Sequence, residues 1–448
     1  MSGSTLIHNA KIVPADGGKP FSGWLLIQGE FIAEIGKGKV PASKSADTTV
    51  DAGGSLLLPG GIDCHVHFRD PGLTHKADIA TESAVAVAGG VTSFMDMPNT
   101  VPPTVTHEAW QQKMERAAAV SHANYAFYIG ATNDNIDSVL LRADYHQVPG
   151  VKLFLGSSTG NMLVDSDSTL HRIFAEVPAL IAVHAEDNAR IATHTAMARE
   201  VFGATGEPVP VEMHPVIRDA RACLDASVRA IELARAHHAR LHLLHVSTAA
   251  EVRLLEADKP EGVTAETCIQ YLQFCDKDYA AMGTRLKCNP AVKAQSDRNV
   301  LRRAVKEGII DTIGSDHAPH LLSEKQGDAL TAPSGCPNLQ FSLPLLLDQF
   351  KPELVAQLTA TRPAQIFHVD RRGAILPGNY ADLVLVDTGV EHLISDEDAL
   401  GRCGWTPAAG LTTTHRVNTT WVNGAVAYTA ASGVAPQRPT VHPLQFNR

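Results

Sequence analysis

Between residues 58 and 368, eight short apolar segments alternate with Ala-rich, charge-studded stretches, and this alternation limits the fold more than any other feature. The apolar segments are IDCHVHF, VTSFMDMP, NYAFYIG, GVKLFLG, LIAVHA, LHLLHVS, GVTAETC and DTIGSD. Stretches between them, such as THEAWQQKMERAAAV and ACLDASVRAIELARAHHA, carry apolar residues at helical period. Eight strands alternating with helices predict an α/β fold, a parallel (β/α)8 barrel of the TIM type. A doubly wound open sheet is the competing architecture, but no GxGxxG follows an early strand.

The flanks differ. LIHNAKIV, GWLLIQGEFIAEIG and TTVDAGGSLLLPG at one end, and GAILPGNYADLVLVD and TTWVNGAVAYTA at the other, are short β-type runs broken by Gly, Asp and Pro. Asn423-Gly424 is a two-residue hairpin turn signal. The expected organisation is a small β-sandwich domain assembled from residues 1–57 and 369–448, enclosing a catalytic barrel over residues 58–368.

Unusual polar residues fall at the strand ends. His65, His67 and Arg69 recur at every second position, spacing that puts them on one face of a strand. An apolar run, LLLPGGI, leads into them, and positive groups there call for an anion or a metal. Asn99 follows the second strand, Lys152 lies within the fourth, His184 ends the fifth, His245 the sixth, and Asp316 with His317 the eighth. In a barrel these C-terminal ends meet at one mouth, where the active sites of this fold lie.

A single strand-end histidine more often makes a structural hydrogen bond than it binds a metal. His-x-His on one strand face changes that balance, because two imidazoles at this spacing can grip one ion. Four histidines and Asp316 together are enough for a binuclear centre of borderline divalent metals. Lys152 reads either as a lysine reaching for solvent or as an amine that loses its proton beside dications. A neutral amine can take up CO2 as a carbamate able to bridge two ions.

The formal net charge of −10 and the lack of a basic run argue against nucleic-acid binding. No apolar stretch approaches the roughly 20 residues that span a bilayer, and MSGSTLIHNAKIV lacks the basic-then-apolar pattern of a secretion signal. Seven scattered cysteines without a CxxC pair fit reduced thiols, so a cytoplasmic enzyme is expected.

HVHFRDPG, MPNT, VKLFLGSSTG, HAEDN, LHLLHVST and GSDHAPH followed by Glu324-Lys325 occur in order and together resemble the dihydroorotases of the amidohydrolase superfamily. HFRDPG and DHAPH are the specific elements; HxH alone is shared by many amidohydrolases. The resemblance implies reversible cyclisation of N-carbamoyl-L-aspartate to L-dihydroorotate, a step of pyrimidine biosynthesis, in a homodimeric zinc enzyme. It implies two Zn2+ per subunit, one held by His65, His67 and Asp316 and the other by His184 and His245, with carboxylated Lys152 and a hydroxide between them. Asp316 is then the catalytic base and acid.

On the same resemblance Arg69, Asn99 and His320 hold the substrate carboxylate, for which a guanidinium is suited by its paired donors. Asn289 of KCNPAV is expected to contact substrate, and Pro333 and Gly335 to present backbone groups to the ring. Ser158 or Thr159, in a small polar loop, is expected to bond the reacting carboxyl. Each of these loop positions also reads as an ordinary turn residue. Cys64 is expected to serve packing, alternating away from the ligand face.

Two stretches depart from the common pattern. Cys268-Ile269-Gln270-Tyr271 stands where many relatives have Thr-Pro-His-His, and residues 331–340 lack their Gly-Ile-x-Gly-Leu run. The rival activities are dihydropyrimidinase, hydantoinase and allantoinase, and from another class a non-catalytic scaffold. Rings without a carboxylate leave Arg69 little to do, and a scaffold has no need of an intact set of ligands.

Overall fold

A computed structural model of the chain describes residues 3–156, 162–204 and 206–448. The middle is the expected eight-stranded parallel barrel. Its strands are Gly61–Val66, Val91–Asp96, Asn124–Phe127 continuing as Ile129–Gly130, Val151–Phe154, Ile181–His184, Leu241–Leu243, Val263–Cys268 and Thr312–Gly314. Neighbours pair in parallel in sequence order. A bridge between Val66 and His317, with the His67 N–H donating to the His317 carbonyl at 2.8 Å, closes the eighth strand onto the first.

Alternation sorts the strand side chains. Val151, Leu153, Ile181, Val183, Leu241 and Leu243 pack with helix residues such as Leu170, Ile173 and Ile231. Lys152, Ala182 and His184 take the other parity. Local caps start the helices at or within two residues of the expected periodic stretches. Thr106 accepts from the Ala109 N–H ahead of helix His107–Val120, and Asp219 from the Ala222 N–H ahead of Ala220–His237.

Both ends of the chain join one nine-stranded sheet. Strand Leu56–Pro59 is its seam, pairing parallel with Ser4–Ile12 and antiparallel with Leu383–Leu393. Ile7, Leu25 and Ile27 from the first end share a buried cluster with Leu383, Leu385 and Trp421 from the second. Asn423-Gly424 turns the chain with φ of 48° and 79°, as the hairpin signal predicts.

Two segments cross the expected division. Strand Leu56–Pro59 spans the 57/58 boundary, and residues 442–447 return to the barrel, where the Leu444 N–H donates to the Tyr125 carbonyl at 2.9 Å. A third, residues 394–411, leaves the sheet to lie against the barrel mouth. There Arg285 donates to Asp396 at 2.9 and 2.6 Å. No helix among the described residues is long and apolar enough to cross a membrane.

Candidate active site

Barrel closure brings the polar strand ends to one cavity of about 450 Å3, lined by His65, His67, Lys152, His184, His245 and Asp316. Arg69, Asn99, Asn289, His320, Pro333 and Gly335 line it too. Ser158 and Thr159 lie outside the described residues.

His65 and His67 aim their Nε2 atoms at the same oxygen, Asp316 Oδ1, at 3.3 and 3.2 Å. Their outer nitrogens are already engaged. His65 Nδ1 is 2.8 Å from Glu266 Oε1 and His67 Nδ1 is 2.7 Å from Asn99 Oδ1. With the outer N–H groups donated to those oxygens, the inner nitrogens keep their lone pairs for a ligand. The donor atoms of His65, His67 and Asp316 lie within 4.8 Å of one another. Two imidazoles and a carboxylate suit a borderline divalent ion such as zinc. Burial pushes the His67 pKa down to about 4, although Asp316 opposes it. Burial also tends to raise that of Asp316, but His65 and His67 outweigh it and the carboxyl stays ionised.

A second pair stands beside the first. His184 Nδ1 and His245 Nε2 are 2.8 Å apart, and the His245 ring centroid is 5.4 Å from that of His65. Glu186 holds the outer nitrogen of His184 at 2.9 Å and is itself bound by Arg218. Lys152 is 1% exposed and its Nζ sits 4.6 Å from the Phe154 ring centroid. Burial lowers its pKa to about 7, against the pull of Asp316 and Glu266. A substantial fraction of neutral amine at physiological pH is what carbamate formation requires.

Three residues here adopt left-handed backbone that L side chains avoid: Arg69 at φ 68°, His245 at 42° and Asp316 at 45°. For Arg69 this changes the expected geometry. The strand ends at Val66, and its pairing to the second strand shifts register between Asp63 and Val66. Arg69 therefore does not continue the His-x-His face. It turns to the far wall, where Nε donates to the Pro319 carbonyl at 3.1 Å and Nη2 lies 3.1 Å from His320 Nε2. Cys64 packs with Met95, Tyr128 and Ala182 in an apolar cluster.

The loop residues are more occupied than expected. Lys325, 1% exposed, donates to the carbonyls of Lys287, Pro333 and Gly335 at 2.9, 2.9 and 3.0 Å. The Gly335 N–H donates to the Lys287 carbonyl at 2.9 Å, so it is not free for a ring. Gly335 has φ 145°, and a Cβ there would meet the Ala318 carbonyl oxygen at 2.5 Å. Asn289 Oδ1 is buried with no hydrogen-bond partner among the described residues.

Sequence reasoning did not single out Glu266, Glu186, Lys76, Lys325 or Trp405 as site residues. A carboxylate inside the apolar strand GVTAETC was a signal for Glu266, and Glu186 stands two residues after His184 in HAEDN. Trp405, whose Nε1 donates to the His320 carbonyl at 2.7 Å, comes from the excursion out of the terminal sheet and left no signal. His317 is structural: it bonds Glu82 at 2.7 Å and accepts from the Leu339 N–H.

Residues 56–427 match the amidohydrolase family. The chain is 34% identical to a dihydroorotase of Halobacterium salinarum over 393 residues, 86% of this chain and 88% of that protein. It is also 34% identical to an allantoinase of Rubrobacter xylanophilus, over 85% of each chain. Among solved structures, the L-hydantoinase (dihydropyrimidinase) of Arthrobacter aurescens superposes with a TM-score of 0.91 at 25% identity, covering 99% of this chain and 100% of that one.

Proposed function

The chain belongs to the amidohydrolase family, and from that premise we propose that it is a dihydroorotase, interconverting N-carbamoyl-L-aspartate and L-dihydroorotate for pyrimidine synthesis. One observation carries the substrate: the cavity has a wall of His65, His67, His184, His245 and Asp316, side chains with metal-ligating chemistry, and a cationic wall of Arg69 and Lys76 beside neutral His320. A cyclic amide with a carboxylate on the ring has one group for each wall. Carboxylate-free rings, such as hydantoin and dihydrouracil, leave the cationic wall without a partner.

His65, His67 and Asp316 would hold one zinc ion and His184 and His245 the other, with Lys152, as a carbamate, available as a further ligand. The ions supply Lewis acidity toward the ring amide carbonyl and acidify the attacking water. Lys152 reaches its carbamate form by adding its amine to CO2 with loss of a proton. Asp316 takes the proton of the water during ring opening and delivers it to the departing ring nitrogen; in ring closure it deprotonates the ureido nitrogen. Arg69 pairs with the ring carboxylate, and Asn289 offers the amide of its side chain. Asn99 has its oxygen committed to His67, so only its amide nitrogen remains for substrate. A homodimer is the assembly expected on this reading.

The test is hydrolysis of L-dihydroorotate with hydantoin, dihydrouracil and allantoin as competitors, alongside zinc analysis. Selective turnover of dihydroorotate with two zinc ions per chain is expected. Two zinc ions with turnover of the carboxylate-free rings alone would overturn the substrate while keeping the centre.

A further inference from the structure

Lys76 precedes helix Ile79–Ala88 and lines the cavity beside Arg69 and His320. Its Nζ lies 3.1 Å from His320 Nδ1 and 3.2 Å from Glu324 Oε1. Burial first, then Arg69, Lys76 and Lys325, push the His320 pKa down to about 2, so this imidazole is neutral and carries one proton. Lys76 can only donate toward Nδ1 and the Ser334 carbonyl, 3.2 Å from Nε2, can only accept, whereas Glu324 Oε2 stays 3.7 Å from Nδ1; the proton therefore sits on Nε2 and Nδ1 accepts.

The consequence falls on Arg69. His320 Nε2–H donates to the Ser334 carbonyl at 3.2 Å and stands 3.1 Å from Arg69 Nη2. A guanidinium is also donor only. Arg69 Nη2 thus faces a nitrogen whose proton is given to the Ser334 carbonyl and which cannot accept, while Arg69 Nε is already committed to the Pro319 carbonyl. A substrate carboxylate oxygen supplies the acceptor that Nη2 lacks there.

We infer that Lys76 is a positioning residue: it holds His320 in the Nε2–H form and thereby sets the preference of the site for carboxylated over carboxylate-free rings. The inference rests on the dihydroorotase reading for the identity of the carboxylate. Without Lys76, His320 can move its proton to Nδ1, and Nε2 becomes an acceptor for Arg69. Arg69 Nη2 then has an acceptor inside the protein, with which a substrate carboxylate must compete.

Two measurements on the zinc-loaded full chain test it. Calorimetry compares orotate with uracil, which differ by the carboxylate alone, and 15N NMR of histidine-labelled protein reads the His320 tautomer, assigned against H320N. The wild type is expected to prefer orotate and to show Nε2–H. In K76M, at unchanged zinc content, the preference should fall at least tenfold with a shift toward Nδ1–H, and K76R should retain both properties. A wild-type His320 protonated on Nδ1 overturns the inference without any variant, as does K76M with an undiminished preference. A wild type that does not prefer orotate overturns instead the dihydroorotase reading beneath it.

Discussion

Nδ1 of His65 meets Oε1 of Glu266 at 2.8 Å across the barrel, although 201 positions separate them in the chain. The contact turns Nε2 of His65 toward Asp316, and the same carboxylate oxygen accepts the His245 backbone N–H at 3.4 Å. Burial tends to raise the Glu266 pKa, but His65 and His242 outweigh it and hold it at about 2. One buried carboxylate therefore contacts both His65 and His245, which are assigned to the two metal positions proposed above.

Glu266→Gln keeps an acceptor for His65 but removes the charge. Zinc affinity should fall about 10–100-fold, read by competition with a chromophoric chelator, with the fold retained. Unchanged affinity would show that packing alone orients His65.

Arg69→Ala should raise KM for L-dihydroorotate by about 100-fold, the order of a lost charge-assisted pair, and leave zinc content intact. An unchanged KM would remove the cationic wall from the account of substrate binding.

Lys325→Met keeps the length of the stem but leaves the carbonyls of Pro333 and Gly335 without their Lys325 donor and that of Lys287 with one donor fewer, the Gly335 N–H remaining. The expected loss is on the order of 3 kcal/mol of stability, with a rise in KM as residues 333–335 lose their anchor. Thermal unfolding and steady-state kinetics read the two effects separately; a KM that stays at the wild-type value would confine Lys325 to stability.

Acid sensitivity should follow Glu186. Burial tends to raise its pKa, yet Arg218 and His184 outweigh it and hold the carboxyl at about 2, below the ordinary 4.5. The folded state thus binds fewer protons than the unfolded state between those values. The stabilisation is complete above about pH 4.5 and is lost as pH falls toward 2. Arg218→Met, studied in metal-free protein, should move the acid-unfolding midpoint to higher pH by circular dichroism. A coincident transition would contradict the assignment.

The barrel was legible because its signals are local. Thr106 caps a helix at the predicted start, Asp219 caps one that begins two residues ahead of the expected stretch, and strands such as VKLF and IAVH are buried runs whose parity is set by the pleat. His65, His67, His184, His245 and Asp316 could be gathered from sequence because barrel closure sends every strand end to one rim. The placement of Arg69 could not, since a register shift and a left-handed φ turned it away from the histidines to meet His320.

The amino-acid sequence by itself determined the order of strands and helices, the union of the two termini in one sheet, and the residues with metal-ligating chemistry at the rim. Those follow from periodicity and residue type, which act over a few positions. Only the tertiary structure decided that Glu266 holds His65, that Lys76 faces His320, that Lys325 ties the carbonyls of Pro333 and Gly335, and that Trp405 reaches the His320 carbonyl from the excursion between two strands of the terminal sheet. Such contacts join side chains from separate elements, and hydrogen-bond geometry a few tenths of an ångström wide is set by how those elements pack, not by their spacing along the chain.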